Sequence, residues 1–401
     1  MSGHDNAYEW KAVLLLSIGF GLVGLDRWIV GPLFPSMMTE LRLGYQDLGL
    51  ISGALGLAWG VFSTLSGRLS DRFGRRVVLI PALAIFSVLS GFSGAATGLA
   101  SLLLMRTLMG AAEGAYLCSS VAAVADASAP RRRGMNQGLQ LSAFPLLGLG
   151  LGPIIATQLL GIVPSWRWVF VLVAIPGIVL ALIMLRVLRE PPHLAKAVEL
   201  REAVRWSEIL ASRNVRVAMA SMICAMSCIF VLGAMVPNYL VDYLKLSPVQ
   251  MGFVMSALGL GGFLGESGIA ALSDHLGRKP VAIGCFVAAA ASLYVFRGLS
   301  AAPGPLFLGL FLVSLFCFGV LAIMTGPVAT EGVRPVLISS AIGIVSGAGE
   351  IFGGGIAPAI AGGVAERYGI ANVFYVSLAG LGMGILVSLL LRETAPRRLA
   401  P

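Results

Sequence analysis

The chain has 401 residues, 57% of them hydrophobic and only 12% charged, where a soluble domain carries about 25% charge. That much apolar surface excludes a soluble globular protein and makes lipid the solvent for most of the chain. The net charge of +9 would suggest nucleic acid in a soluble protein, but these cations cluster in short segments between apolar runs, which argues against that partner.

Apolar runs long enough to cross a bilayer, about 20 residues each, can be placed near 11–39, 46–67, 77–97, 101–125, 136–162, 167–188, 215–243, 248–272, 280–299, 304–329, 336–363 and 371–392. They lack the short alternation of a membrane barrel, so the expected fold is all-α, with twelve transmembrane helices. The first run lacks a small-residue cleavage site and is followed by further spans, so it reads as a span rather than a signal peptide. The fifth run is interrupted by Gly148-xxx-Gly152-Pro153, and the eleventh by Gly347, Gly349, Gly353-Gly354-Gly355 and Pro358. Such segments at matching positions serve either as moving gates or as places of tight helix packing. Trp166-Arg167-Trp168, before the sixth run, looks like an interfacial anchor.

The longest polar stretch, about 189–214, begins Arg189-Glu190-Pro191-Pro192 and carries a periodic segment from Leu194 to Leu210 with Trp206 among its cations. It reads as a cytoplasmic linker, lying at the interface as an amphipathic helix or merely tethering. It divides the chain into two six-helix halves, 1–188 and 215–401. With twelve passes, five cations (Arg42, Arg167, Lys245, Arg297 and Arg367) fall on one side and Arg27 and Arg106 fall inside the membrane. The remainder, including Arg131, Arg132, Arg133, Arg201, Arg205, Arg213 and Arg216, falls on the other side. This positive-inside asymmetry places both termini in the cytoplasm. The cysteines lie in apolar runs without ligand spacing, and His4, His193 and His275 lie in polar segments, so no metal is expected.

One polar segment occurs twice. Gly67-Arg68-Leu69-Ser70-Asp71-Arg72-Phe73-Gly74-Arg75-Arg76 is followed 203 positions later by Leu272-Ser273-Asp274-His275-Leu276-Gly277-Arg278-Lys279. Each copy follows the second run of its half, as in a duplicated membrane protein. Asp71 stands where it can accept from a helix N-terminus or pair with the arginines, forming a latch at the cytoplasmic side. The alternative is that these cations only set topology. The twelve runs, the charged linker and this loop together resemble the major facilitator superfamily over essentially the whole chain. Gly67, Asp71, Arg72, Gly74, Arg75 and Arg76 fit its loop pattern. Asp274, Gly277 and Arg278 fit it in the second copy, where Ala270 and His275 depart from it. The resemblance implies a transporter working by alternating access.

Charges inside the runs are costly and therefore informative: Asp26, Arg27, Arg106, Glu113, Glu266 and Glu350. Arg106 and Glu113 are seven apart and share one helical face, about 10 Å apart along the axis, whereas Asp26 and Arg27 diverge by roughly 100°. These four charges sum to zero and are expected to neutralise one another in an empty cavity. An anionic substrate that takes an arginine would leave a carboxylate unpaired and ready for a proton, coupling the two; the alternative is a static brace between two helices. Asp26-Arg27-Trp28-Ile29 with Leu33-Phe34-Pro35, Arg106-xxx-Gly110-xx-Glu113-Gly114 and Val236-Pro237-Asn238-Tyr239-Leu240 are similar to the anion:cation symporter branch. That likeness implies that Asp26 and Glu113 exchange protons while Arg27 and Arg106 grip a carboxylate. Spinster-type lipid transporters also carry an Asp-Arg pair in the first span. Asn238, Tyr239, Gln137 and Gln140 are candidate polar lining. Glu350 departs from an anion pocket: protonated it could donate to the substrate, ionised it would repel it. Glu266 is read as support for the second loop.

The expectation is therefore a proton-coupled symporter that imports a small organic carboxylate across a bacterial-type inner membrane as a monomer. Its partners are the substrate, protons and the bilayer, with the proton as coupling ion and no cofactor. The alternatives are a proton-coupled exporter of amphipathic compounds, a drug or lipid, and, from another class, a membrane-bound enzyme or receptor. The chain shows no nucleotide loop or nucleophile-base spacing for the last.

Overall fold

A computed structural model describes residues 5–129, 132–190, 206–331, 333 and 338–394, apart from the side chains at 64, 67, 68, 71, 72, 133, 134, 338 and 339. Within lipid every backbone N–H and C=O needs an internal partner, and an apolar chain meets this by forming helices. Twelve long rods result: α1 (Asn6–Leu41), α2 (Tyr45–Phe73), α3 (Arg75–Ser93), α4 (Leu99–Ala127), α5 (Met135–Leu160), α6 (Trp166–Val187), α7 (Arg213–Tyr243), α8 (Pro248–Leu276), α9 (Arg278–Phe296), α10 (Pro303–Glu331), α11 (Ser340–Tyr368) and α12 (Ile370–Leu389). No strand occurs among the described residues. The expected all-α membrane architecture is what the chain adopts. Leu14, Leu104, Leu182, Leu308 and Leu386 point outward and are exposed, as lipid-facing side chains are.

Several rods are deliberately irregular. α1 is interrupted at Ile29 between Asn6–Trp28 and Val30–Leu41, where Pro32 cannot donate to the carbonyl of Trp28. α5 and α11 contain π-helical stretches at Pro145–Leu151 and Gly349–Ile356. Their first residues, Pro145 and Gly349, stand 204 apart, within one residue of the offset between the two loop copies. The Gly- and Pro-rich segments of the sequence are thus wider turns inside continuous rods.

The two halves meet most closely from the middle of the molecule toward the face remote from the termini. There α2 crosses α11, where a Cβ on Gly56 would lie 2.4 Å from the carbonyl oxygen of Gly354. α8 crosses α5, where a Cβ on Gly259 would lie 1.9 Å from the amide nitrogen of Gly150. Polar contacts reinforce the same face. Tyr45 Oη donates to Asp242 Oδ2 at 2.9 Å, and the Tyr45 amide donates to Glu366 Oε2 at 2.9 Å. Asn238 Nδ2 donates to Asp242 Oδ2 at 3.0 Å. At the face that carries both termini, polar contacts among the described residues fasten rods inside each half: Arg132 to Glu9, Arg75 to Asp126 and Arg278 to Glu331.

The linker segment 191–205 lies outside the described residues, as do Arg131, Arg201 and Arg205. A short helix, Trp206–Ala211, leads into α7. Arg189 and Glu190, read from the sequence as the start of the linker, are held against the N-terminal half. Arg189 pairs with Asp5 at 3.0 Å, and Glu190 caps α3.

Candidate functional site

The two loop copies fold alike. Gly74 and Gly277 take φ of 102° and 103°, values that a side chain resists, and so turn the chain sharply between rods. The amides thereby exposed at the start of α3 are accepted by Glu190, from Arg75 N at 2.5 Å and Arg76 N at 2.9 Å. At the start of α9, Glu393 accepts from Arg278 N at 2.8 Å and Lys279 N at 3.1 Å. A carboxylate at a helix N-terminus satisfies orphan donors and the helix dipole together. Sequence reasoning overlooked both acids, although Leu188-Arg189-Glu190 and Leu391-Arg392-Glu393 repeat at the offset of 203. Arg75 pairs with Asp126 at 3.3 Å, and Arg278 pairs with Asp274 at 2.5 Å and Glu331 at 3.0 Å. Gly67, Asp71 and Arg72 lie outside the described side chains. Glu266, expected to support Asp274, keeps its buried Oε2 without a partner among the described residues, while Asp274 turns to Arg278.

The charged centre forms where α1 breaks. The last carbonyls of a helix lack partners, and that of Asp26 accepts from Arg106 Nη1 of α4 at 2.8 Å. The Asp26 carboxylate faces α3 instead, where Ser90 Oγ donates to it at 2.7 Å. One residue on, Arg27 points between the halves, as the expected 100° divergence requires. Its Nη2 donates to Glu350 Oε2 of α11 at 2.8 Å. Its guanidinium lies 4.2 Å from the ring centroid of Trp59 on α2 and 4.3 Å from that of Phe230 on α7. Glu113 is fully buried, both its oxygens lack partners among the described residues, and it stands within electrostatic reach of Arg27, Asp26, Arg106 and Glu350.

This corrects one expectation. The four charges of α1 and α4 do not neutralise one another as a closed set. Arg27 takes Glu350 of the other half, and Arg106 takes a backbone carbonyl, because the side chain of Asp26 is already turned to Ser90. The Glu350 carboxylate is a partner of Arg27 and is no free lining group in this conformation. Sequence reasoning also missed Trp59 and Phe230, although Phe230 is the residue 203 positions after Arg27 and so faces it across the pseudo-twofold axis.

Arg27 and Arg106 line one cleft with Trp28, Ile51, Ser52, Leu55, Phe230 and Ala234. Three of their nitrogens, Arg27 Nη1 and Arg106 Nε and Nη2, are buried without partners among the described residues. The other candidate lining residues stand elsewhere. Gln140 Nε2 donates to Ser120 at 2.7 Å, and Gln137 Nε2 donates to the Val121 carbonyl at 3.4 Å. Asn238 bonds Asp242 and Met38. Tyr239 is buried among Tyr243, Phe296 and Phe374. Among the described residues no group of three His, Cys, Asp or Glu could hold a metal ion.

Two overlapping matches to the model of the Major Facilitator Superfamily span residues 16–265 and 217–401. The chain belongs to that superfamily. Its relatives include a hexuronate transporter of Bacillus subtilis, 26% identical over 92% of this chain and 91% of the relative. A 3-(3-hydroxy-phenyl)propionate transporter of Escherichia coli is 27% identical over 76% of each chain. Among solved structures, a bacterial homologue of the lysosomal transporter Spinster in an inward-facing, occupied conformation superposes with a TM-score of 0.79. It covers 96% of this chain and 97% of the other at 16% identity, a likeness of fold. The superfamily member described here is thus a membrane transporter, and its family and relatives are transporters, not enzymes.

Proposed function

We propose that this transporter carries a small organic carboxylate together with protons by alternating access. The observation that carries the reading is the convergence of Arg27 and Arg106, from two helices, on one buried cleft with three unpartnered nitrogens. Guanidinium groups present a planar fork that matches a carboxylate, and buried N–H donors without partners are costly enough to draw an anion in. The anion adds a negative charge beside Asp26 and Glu113, and a proton on either carboxylate restores neutrality. The relatives that carry hexuronate and 3-(3-hydroxy-phenyl)propionate support an organic acid. Ser52 is the one hydroxyl among mostly apolar lining residues, so the body of the substrate is apolar or aromatic. Each sugar hydroxyl left unpaired there would cost about 1–3 kcal/mol. The distribution of cations supports a cytoplasmic position for the face with the termini, and the bacterial relatives support an inner membrane. The face at which the halves meet most closely is then external, which supports an inward-facing conformation.

The test is uptake of labelled benzoate, 3-phenylpropionate and glucuronate by the purified protein in liposomes, with and without an acid-outside pH gradient. Accumulation of a carboxylate that the gradient drives supports the reading. Uptake indifferent to the gradient, or no uptake of any carboxylate, would overturn it.

A further inference from the structure

We infer that Glu350 is a built-in competitor for the anionic group of the substrate, neutralising Arg27 while the site is empty and yielding it when the substrate arrives. This rests on the preceding reading that Arg27 takes part in anion binding, and adds a residue of the opposite half to it. The guanidinium of Arg27 packs against two aromatic rings, with its central carbon 4.2 Å from the centroid of Trp59 and 4.3 Å from that of Phe230. An anion binds it through the N–H groups at its rim, away from these rings. That rim is half taken: Nη2 holds Glu350 Oε2 at 2.8 Å, while Nη1 is buried without a partner among the described residues. The free space in the cleft is about 20 Å³, enough for about one water. No organic carboxylate enters until something moves, and the group occupying the position a carboxylate would take is another carboxylate.

The seat of the pair is specific. A Cβ on Gly354, one turn beyond Glu350, would lie 2.9 Å from Glu350 Oε2 and 3.1 Å from Arg27 Nη2, so glycine leaves just the room the pair uses. Glu350 also stands in the π-helical stretch Gly349–Ile356, a wider turn of the kind found at functional positions in helices. Because Arg27 belongs to α1 and Glu350 to α11, the substrate would exchange a covalently tethered anion of one half for a mobile one. The empty carrier keeps Arg27 paired through Glu350, and the loaded carrier keeps it paired through the substrate. Either form can therefore reorient with Arg27 paired to an anion. Removing Glu350 spoils only the empty form.

The experiment compares wild type with Glu350→Gln in liposomes, using whichever of benzoate, 3-phenylpropionate or glucuronate wild type accumulates. Binding is read from quenching of tryptophan emission, since Trp59 faces Arg27. Net uptake is read beside exchange of internal for external probe. The expected result is at least tenfold tighter binding and at least tenfold slower net uptake, with exchange kept within about threefold. Retained exchange also certifies a folded protein. If the glutamine variant does not assemble, Glu350→Asp, whose shorter side chain draws back from Arg27, should move the same readouts in the same directions by less. Weaker binding would make Glu350 a ligand of the substrate and overturn the inference. So would unchanged binding, or net uptake and exchange falling together. Failure of wild type to bind any probe would instead overturn the preceding reading, and this one with it.

Discussion

The two halves are alike at their ends and unlike at their centres. At the ends, Gly74 and Gly277 share a left-handed turn, Arg75 and Arg278 each pair with an acid, and Glu190 and Glu393 each cap the following helix. All three pairs stand 203 residues apart. At the centre the offset finds no match. Asp26 and Arg27 correspond to Ile229 and Phe230, and the positions 203 to 205 beyond Arg106 and Glu113 hold only Gly309, Leu310, Phe311, Phe316, Cys317 and Phe318. Glu350 corresponds to Leu147. The difference separates two tasks. Turning the chain and fastening rods is needed equally in both halves and was kept in both. Handling charge in lipid is expensive wherever it is done, and four of the six charges inside the runs lie in one half, with Glu350 of the other reaching across and Glu266 standing apart.

The comparison is broken most severely at Arg106. Arg106→Ala removes a guanidinium from the cleft and leaves the buried Asp26 carbonyl without its side-chain donor, a loss of about 1–3 kcal/mol. Saturable binding of the carboxylate should be lost in an equilibrium binding assay, and a variant that still binds would remove Arg106 from the site. Asp26→Asn and Glu113→Gln come next. Each should abolish proton-driven accumulation while leaving substrate exchange, which flux measurements in liposomes with and without a pH gradient would separate. Loss of exchange as well would show that the acids serve the architecture rather than the coupling.

The symmetric ends predict smaller and matched effects. Glu190→Ala and Glu393→Ala each remove a helix cap and should each lower stability by about 1–2 kcal/mol. The effect should be greater at Glu393, which is half-buried where Glu190 is exposed. Thermal unfolding in detergent would show it, and an effect at only one of them would break the equivalence of the two ends. Smallest is the contribution of Asp5. Its carboxyl accepts from the Tyr8 amide and pairs with Arg189, which holds its pKa below the usual carboxylate value. A depressed folded pKa stabilises above the unfolded value and ceases to do so as the pH falls through the folded one. Asp5→Ala should therefore lower the melting temperature slightly at neutral pH, and the gap to wild type should close in acid.

Much of this was legible in the residues. The lengths of the apolar runs place the rods to within a few residues, except that α1 begins before 11, at Asn6, while α2 and α11 run beyond 67 and 363 to Phe73 and Tyr368. Their ends carry charge that a hydropathy reading trims away. The buried charges of α1 and α4 declared themselves as functional candidates because lipid tolerates few such residues. The repeat at 203 pointed to the duplicated loop, and read further along the chain it would have found Glu190 and Glu393.

What a helical period reports is the face of its own rod on which a residue lies. It places Asp26 and Arg27 on diverging faces and Arg106 with Glu113 on a common one, and the structure agrees. It does not report which rod stands opposite that face. Arg27 finds Glu350 323 residues away, and Tyr239 goes to an aromatic cluster rather than the cleft, because the two halves pack face to face through their glycine-lined crossings. Apolar length and the cost of buried charge are properties of a segment, and a sequence states them directly. The partner of a buried charge is a property of the packing between segments, and it exists only once the halves have met.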